Sequence, residues 1–491
     1  MTGLLALPPI LDRLHPLLSA ETHPVYLVGG TVRDAILGRP IHDIDLVVAT
    51  GAIQLTFRLA DALGLPAYVL DNDRDVGRIV TPGDGLTLDI ARFRGPGLED
   101  DLFGRDFTIN ALALPVGRQD IEAVIDLHHG LDHLQQRRIH IIHPQSIEDD
   151  PVRALRAARF AIQLGFTLTE STVSTARNAG PLLTAMTSAE RIRDELNRIL
   201  SSSSPHLGIE LLHNLGLLEI VLPDVAALDG LEQSSPHFED VFRHTLRVLE
   251  YLARIIELVD GKLATPHWED DISRLITPFQ ESLQAHLERA TDGGTTGRLL
   301  LMWGGLLHDI GKRPAQTVEQ DGRIRFLGHD DAGAELAGKL LSGYCFSNES
   351  IRRVRSIVAG HMRPLYLAKD NRPPSRRSAF RYYRNLHEAG LDICLLALAD
   401  HLATYDGVGD HASWETLRVV TGTLLDVYFN KYDDTVAPAR LLDGEAIMSI
   451  LAIPPGHEIG RLLRLLEEAQ AAGEVTTREA AITFVQSHRA F

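Results

Sequence analysis

The sequence predicts an α+β protein, with a small α/β head at the N-terminus and a mostly helical remainder. Three observations predict it. Between about Pro24 and Leu134, short apolar runs alternate with turn residues. From about Asp149 onward the apolar spacing becomes helical. The chain has 491 residues, 44% of them hydrophobic, which is enough for more than one compact core.

In the head, Val25–Val28, Ile44–Val48, Ala67–Leu70, Ile79–Val80 and Leu86–Ala91 read as strands. Thr31–Leu37 and Ile53–Leu63 read as helices. Pro151, with acids ahead of it, suits the first turn of the next helix. Further helices are expected at Ser188–Leu200, Gly208–Leu215, Phe238–Val259, Arg298–Leu307, Ala332–Leu341, Glu349–Ala359 and Ala379–Thr404. Ser201–Ser204 reads as a linker, and the polar stretch Asp260–Gly297 as an inserted segment. Arg440–Phe491 reads as a helical tail. The expected domains are 1–148, 149–235, 236–410 and 411–491.

Composition narrows the function classes. No stretch approaches the roughly 20 apolar residues of a membrane helix, and the start MTGLLALPPILDRLHPLL lacks the basic leader of a signal peptide. Cys345 and Cys394 are the only cysteines and have no CxxC spacing, which points to a reducing, cytoplasmic setting. The net charge of −18 excludes a uniformly basic surface. Locally, however, Arg352 to Arg384 holds nine Arg and Lys369 against one acid, Asp370. Phe380, Tyr382 and Tyr383 fall within that run. Such a stretch suits RNA phosphates and stacked bases; it equally suits a solvated helix face.

The most specific signal is Gly29-Gly30 followed by Asp43-Ile-Asp-Leu46. Asp43 and Asp45 are two apart on an expected strand, so their side chains share a face. Paired hard carboxylates suit Mg²⁺ and a triphosphate, and the glycines let backbone N–H groups approach phosphate oxygens. Asp89, on a later strand, is a candidate third catalytic carboxylate. The set implies two-metal phosphoryl or nucleotidyl transfer.

These residues resemble a known family. Leu27-Val-Gly-Gly-Thr-Val-Arg-Asp-Ala-Ile-Leu-Gly38 with Asp43-Ile-Asp-Leu46 is similar to the first motif of class II tRNA nucleotidyltransferases and bacterial poly(A) polymerases. Arg105-Asp-Phe-Thr-Ile-Asn-Ala111 resembles their second motif, Asp150-Pro-Val-Arg-Ala-Leu-Arg-Ala-Ala-Arg-Phe160 their template motif, and Glu190-Arg-Ile-Arg-Asp-Glu195 a later helical motif. Ile453-Pro-Pro-Gly-His-Glu-Ile-Gly-Arg461 resembles their C-terminal segments less specifically. The resemblance implies a polymerase-β-like nucleotidyltransferase head on a helical neck, body and tail. It implies Mg²⁺ on Asp43 and Asp45, and nucleotide contacts from Gly29, Gly30, Arg33, Arg105, Asp106, Asn110, Asp150, Arg153, Arg156 and Arg159. Among these, Asp106 would help recognise the ribose, and Asp150 with Arg153 would read the base.

The residue chemistry agrees. Asp150, Arg153 and Arg156 recur at three-residue steps, so they approximate one helix face. A carboxylate accepts from the amino group of cytosine or adenine while Arg donates to ring acceptors. A capping Asp–Arg pair is the structural alternative. Gly104 stands where the family often has a further Arg, and Asp149 where a Glu is common. Both leave the nucleotide preference open, partial CC or A addition included.

A second constellation follows. His244, His308-Asp309 and Asp400 have the order of an HD metal-dependent phosphohydrolase domain, with His308-Asp-Ile-Gly-Lys312 as its local string. His329 and His361 lie where two-metal versions carry extra histidines. Imidazoles with carboxylates suit Mn²⁺, Ni²⁺, Fe²⁺ or a similar ion more than Mg²⁺ alone, for attack of hydroxide on a phosphate ester. Among the 22 histidines, His140, His143, His206 and His213 read as structural or surface. The expected activity is addition of CMP, AMP or both to the 3′ end of tRNA from CTP and ATP, with a second phosphohydrolase activity. The alternatives are a poly(A) polymerase, or a phosphohydrolase with an RNA-binding head.

Overall fold

The computed structural model describes residues 3–83, 85–265, 267–368 and 372–489. Lys369 and Asp370 of the basic run lie outside these. The chain divides into two compact units, residues 1–191 with 215–217, and residues 192–214 with 218–491. The division falls inside the helix Ala189–Leu200, upstream of Ser201–Ser204, which forms a short turn.

The first unit is built on a sheet of seven strands: β1 (Tyr26–Val28), β2 (Asp43–Val48), β3 (Ala67–Asp71), β4 (Val76–Val80), β5 (Thr87–Arg92), β6 (Leu112–Pro115) and β7 (Ile125–Asp126). Their order is β3-β4-β5-β2-β1-β6-β7. Only β2 and β5 run parallel; the other neighbours are antiparallel. Strand alternation sorts β2: Ile44 and Leu46 are buried on one side, while Asp43 and Asp45 face the other. The helices are α1 (Ile10–Leu18), α2 (Gly30–Leu37), α3 (Ala52–Leu63), α4 (Leu98–Phe103), α5 (Gly130–Gln135), α6 (Gln145–Asp149) and α7 (Val152–Leu164). Helix α3 lies against β4 where Gly77 meets Thr56; a Cβ on Gly77 would stand 2.4 Å from the Thr56 hydroxyl. Strand β6 and helix α4 are too short to show a period, so the sequence pattern did not reveal them.

The second unit is helical. Its core gathers Val241–Val259, Gly297–Leu307, His329–Gly343, Asn348–Gly360 and Ala389–Tyr405. The last of these is buried on nearly every side, from Ala389 to Thr404. A tail of Gly444–Leu451, His457–Ala471 and Arg478–Ser487 closes over its own cluster, with Ile447, Leu462, Ala481 and Val485 fully buried.

Three expectations change here. The single helix expected over Ala379–Thr404 is two, Arg376–Leu386 and Ala389–Tyr405, because His387 adopts φ +49° and cannot continue a right-handed helix. The segment 260–297 is not a loose insertion: it carries helices Trp268–Ile276 and Gln280–Glu288, which bury Ile272, Ile276, Leu283 and Leu287. The Trp414 indole donates to Asp271 at 3.0 Å. The three aromatics singled out in the basic run are core residues, with Phe380, Tyr382 and Tyr383 buried on the apolar face of their helix. Arg353 is buried on Asp392 at 2.7 Å, and Arg377 and Arg381 pair with Glu474 and Glu468 of the tail. Among the described aromatics of the run, Tyr366 is the exposed one.

Gly77→Ala should force α3 off the sheet. The expected cost is about 1–3 kcal/mol, the usual range for overpacking, read as a lower denaturant midpoint with an unchanged m-value.

Candidate active site

In the first unit, the turn between β1 and α2 comes first. Gly29 has φ +67°, which favours glycine. A Cβ there would also lie 2.7 Å from Arg105 Nη1 and 3.4 Å from Asp45 Oδ2. The turn is pinned to β2 by Thr31, whose hydroxyl donates to the Asp43 carbonyl (3.2 Å) and accepts from the Asp45 N–H (2.8 Å). The glycine turn and the two aspartates thus form one assembly.

Asp43 is exposed and accepts from the Thr87 hydroxyl at 2.6 Å. Asp45 lies deeper. Burial pushes its pKa from the ordinary 3.8 up to about 6; Arg105 opposes this, and Asp89 and Asp43 add to it. This is the electrostatic signature of a carboxylate taken out of water beside like charges. The donor set fits a hard divalent ion.

Asp89 pairs in register with Asp45, as a third carboxylate would. Its two oxygens, however, are both held by Arg78, through Nε and Nη2 at 2.6 Å each. Asp89 therefore differs from the catalytic carboxylate expected: it is a charge neighbour of Asp45 with a partner of its own. Arg78 carried no sequence signal, because only the β4–β5 register puts it opposite Asp89.

The arginines are arranged in layers. Arg105 is held through Nε and Nη2 by buried Asp101, leaving Nη1 beside the Gly29 turn. Arg33 donates to Asn110 Oδ1 at 2.7 Å and to Asp34. Asn110 in turn donates to Asp106 Oδ1 at 3.0 Å. Asp106 also accepts from the Phe107 N–H and faces Arg156 Nη2 at 2.9 Å. Burial alone would raise its pKa, but Arg156, Asn110 and the Phe107 amide bring it down to about 2. Oδ1 of Asp106 thus accepts two hydrogen bonds, while Oδ2 is buried beside Arg156 without a directed one. Beside the expected ribose contact, Asp106 has a positioning role: it holds Asn110, and Asn110 holds Arg33.

Asp150 precedes α7. Arg191 Nη2 reaches it at 2.8 Å and Arg153 Nε at 3.8 Å. Arg153 also donates to the carbonyls of Gly104, Arg105 and Ser146. Arg156 faces Asp106 instead, and Arg159 packs over the Phe160 ring at 4.1 Å. In the sequence Arg191 is legible only as part of a motif; the structure gives it Asp150 as a partner.

The HD constellation assembles in the second unit. His244, His308 and Asp309 form one group of converging ligand atoms, and Asp309, His329 and His361 another. Asp309 is common to both. Its Oδ2 lies 3.1 Å from His308 Nε2 and 3.8 Å from His244 Nε2, and its Oδ1 3.5 Å from His329 Nε2 and 3.9 Å from His361 Nε2. Asp400 Oδ1 is 3.0 Å from His244 Nε2.

Three imidazoles are oriented alike. Nδ1 of His308, His329 and His361 bonds the carbonyl three residues earlier, on Gly305, Phe326 and Val358. That fixes the tautomer with Nε2 turned inward, as metal-binding histidines require. His244 Nε2, His308 Nε2 and Asp309 Oδ2 are buried without a directed hydrogen bond among the described residues. These orphaned atoms fit a divalent ion.

Lys312 stands 2.7 Å from Asp309 Oδ2 and donates to Gln233. His237 packs edge-on against His244. Neither had been assigned a role. Lys312 was legible in the HD string, whereas His237 lies seven residues before its neighbour on a loop. A cavity of about 610 Å³ opens over these groups, bordered by Lys312, Arg323, His237 and Tyr405.

Asp45→Asn should stabilise the metal-free protein. Because burial raises the folded-state pKa, this acid's favourable contribution is complete below pH 3.8 and lost as pH rises through about 6. Above that, the ionised side chain costs on the order of 3 kcal/mol. The variant should melt higher than the parent at pH 8 in chelator, and the two should converge near pH 4.

Comparison with known proteins follows the same lines. The family described as "Poly A polymerase head domain" matches residues 25–97 and 94–140. That described as "Probable RNA and SrmB- binding site of polymerase A" matches 165–228, and "HD domain" matches 241–405. An A-adding tRNA nucleotidyltransferase of Deinococcus radiodurans is 33% identical over 94% of both chains. A CC-adding tRNA nucleotidyltransferase of Thermus thermophilus is 32% identical over 93% of this chain and 92% of its own. Among solved structures, a CCA-adding enzyme in complex with CTP aligns over 98% of this chain and 96% of its own, with a TM-score of 0.62 and 21% identity. The Thermotoga maritima CCA-adding enzyme complexed with tRNA aligns over the same shares with a TM-score of 0.58 and 20% identity; both share the fold. The chain belongs to the tRNA nucleotidyltransferase family, with a poly(A) polymerase-type head and an HD domain.

Proposed function

We propose that the first unit adds CMP or AMP to the 3′ end of tRNA from CTP or ATP, with Mg²⁺ held by Asp43 and Asp45. The observation that carries this reading is the pairing of these carboxylates, beside the Gly29–Gly30 turn, with an Asp150–Arg153–Arg191 cluster able to read a base. In the reaction, the RNA 3′-hydroxyl forms a bond to the α-phosphorus and the bond to pyrophosphate breaks. Bound Mg²⁺ supplies charge neutralisation and polarisation at the reacting phosphate. Gly29 and Gly30 let the backbone approach the triphosphate, while Arg33 and Arg105, each braced by an acid, meet its charge. Asp150 accepts from the exocyclic amino group of C or A, and the adjoining arginines donate to ring acceptors. Rate enhancement rests on this positioning and on preformed charge.

In the second unit the shared Asp309 carboxylate, with its two histidine pairs and Asp400, supports a two-ion phosphohydrolase centre. The imidazole-rich set favours Mn²⁺, Ni²⁺ or Fe²⁺. Such ions supply Lewis acidity and an activated water. Lys312 and Arg323 border the cavity as cations for a phosphoester. Among the described residues no helix is long and apolar enough to cross a membrane, and Cys345 and Cys394 form no disulfide. Both features support a cytoplasmic setting.

Three tRNA transcripts, ending before CCA, after one C and after CC, test the first activity with CTP, ATP or both. One to three added nucleotides support the reading, whereas long tails on unstructured RNA favour poly(A) synthesis. Asp43→Ala should abolish addition and leave phosphoester hydrolysis, and His308→Ala should do the reverse. Loss of both activities in either variant would contradict two separate centres. His329→Ala should lower bound transition metal from about two ions to one per chain by elemental analysis; an unchanged count would rule out the shared-carboxylate arrangement.

A further inference from the structure

The sheet of the first unit carries a row of side chains that the reading above leaves unused. Asp45 on β2 is the register partner of Asp89 on β5. Asp89 is the partner of Arg78 on β4, and Arg78 of Tyr68 on the edge strand β3. Register partners point to the same face. The row thus runs outward from the metal-binding aspartate across four adjacent strands, about 4.8 Å apart. Asp89 holds Arg78 on two donors, and the Tyr68 hydroxyl also holds it in its charged form. Among the described residues no other acid pairs with Arg78. Tyr68 is 47% exposed and conspicuous for an aromatic residue at an edge.

The direction of this row has chemical meaning. The Gly29–Gly30 turn and Arg33 lie on the β1 side of β2. A triphosphate seated there sends its β- and γ-phosphates, the leaving group, toward β1. In-line displacement requires the attacking oxygen on the opposite side of the α-phosphorus. In the strand order β3-β4-β5-β2-β1, that side is β5 and beyond.

We propose that the acceptor strand of the RNA enters over β5, β4 and β3, with Arg78 gripping a phosphate next to the 3′-terminal nucleotide and Tyr68 supporting a base or ribose behind it. This rests on the nucleotidyltransfer reading. A guanidinium already fixed by a carboxylate loses little freedom on meeting a phosphate, and its remaining donors suffice for that contact. Asp89 then serves as a positioning residue that aims Arg78.

The test is steady-state kinetics of the full chain with a tRNA transcript ending before CCA, alongside direct binding of the same transcript by fluorescence anisotropy. Arg78→Ala should raise KM and Kd for the RNA about tenfold, the usual effect of losing one charge-assisted contact. KM for the nucleotide should stay within about twofold. The slope of log Kd against log salt should fall by about one, and Arg78→Lys should restore part of the loss. Tyr68 is exposed and its replacement does not threaten folding: Tyr68→Ala should weaken RNA binding about three- to tenfold, and Tyr68→Phe should keep it. Equal changes in nucleotide and RNA KM, or a fall in kcat with both KM values intact, would overturn the proposal and leave Arg78 as a brace for Asp89. A parent protein that binds the transcript but adds nothing would instead overturn the nucleotidyltransfer reading, with the Kd comparison still deciding the path of the strand.

Discussion

The head depends on one electrostatic fact: a carboxylate has been taken out of water beside two others. Asp45 resists ionisation for that reason, and the surroundings answer it with guanidinium groups held at fixed distances. None of those arginines is loose. Arg105 is clamped by Asp101, Arg33 by Asp34 and Asn110, and Arg78 by Asp89. Each therefore faces the site in one orientation, and little reorganises when a highly charged substrate arrives. Behind them, buried Asp106 holds Asn110 and, through it, Arg33.

The second unit solves the opposite problem. Four imidazoles gather around one buried carboxylate, so the donors outnumber the negative charge. Burial would raise the pKa of Asp309, but His308 and Lys312 hold it well below the usual carboxylate range. His361, enclosed and next to His308, is pushed down to about 4 and stays neutral at physiological pH. His308 is shifted the other way: against the effect of burial, the Asp309 charge raises its pKa, so binding a divalent ion there would displace a proton. The two units thus offer different donor sets, carboxylates alone in one and imidazoles with carboxylates in the other.

Much of this was legible in the sequence. Period-two alternation located β2 and β5 and put Asp43 and Asp45 on one face, and the HD string with its distant histidines named the second site before any coordinates. What escaped has physical causes. The break at His387 is a backbone conformation that residue type does not announce. The basic run stayed ambiguous because an amphipathic helix with aromatics on its buried face has the same composition as an RNA-stacking surface. The acid partners of Arg78 and Arg191 depend on strand register or on helix packing, and neither can be read from local spacing.

The three imidazoles latched to carbonyls three residues behind them carry a consequence for how such a protein can change over evolutionary time. Each ligand's direction is set within a single turn of backbone, not by distant packing. One helical residue corresponds to a rotation of roughly 100°. A one-residue insertion or deletion between Gly305 and His308, or between Val358 and His361, would turn the imidazole away from Asp309 even with every histidine retained. Chain length within these turns is therefore under the same selection as the identity of the ligands, while the connections elsewhere are at liberty to grow or shrink.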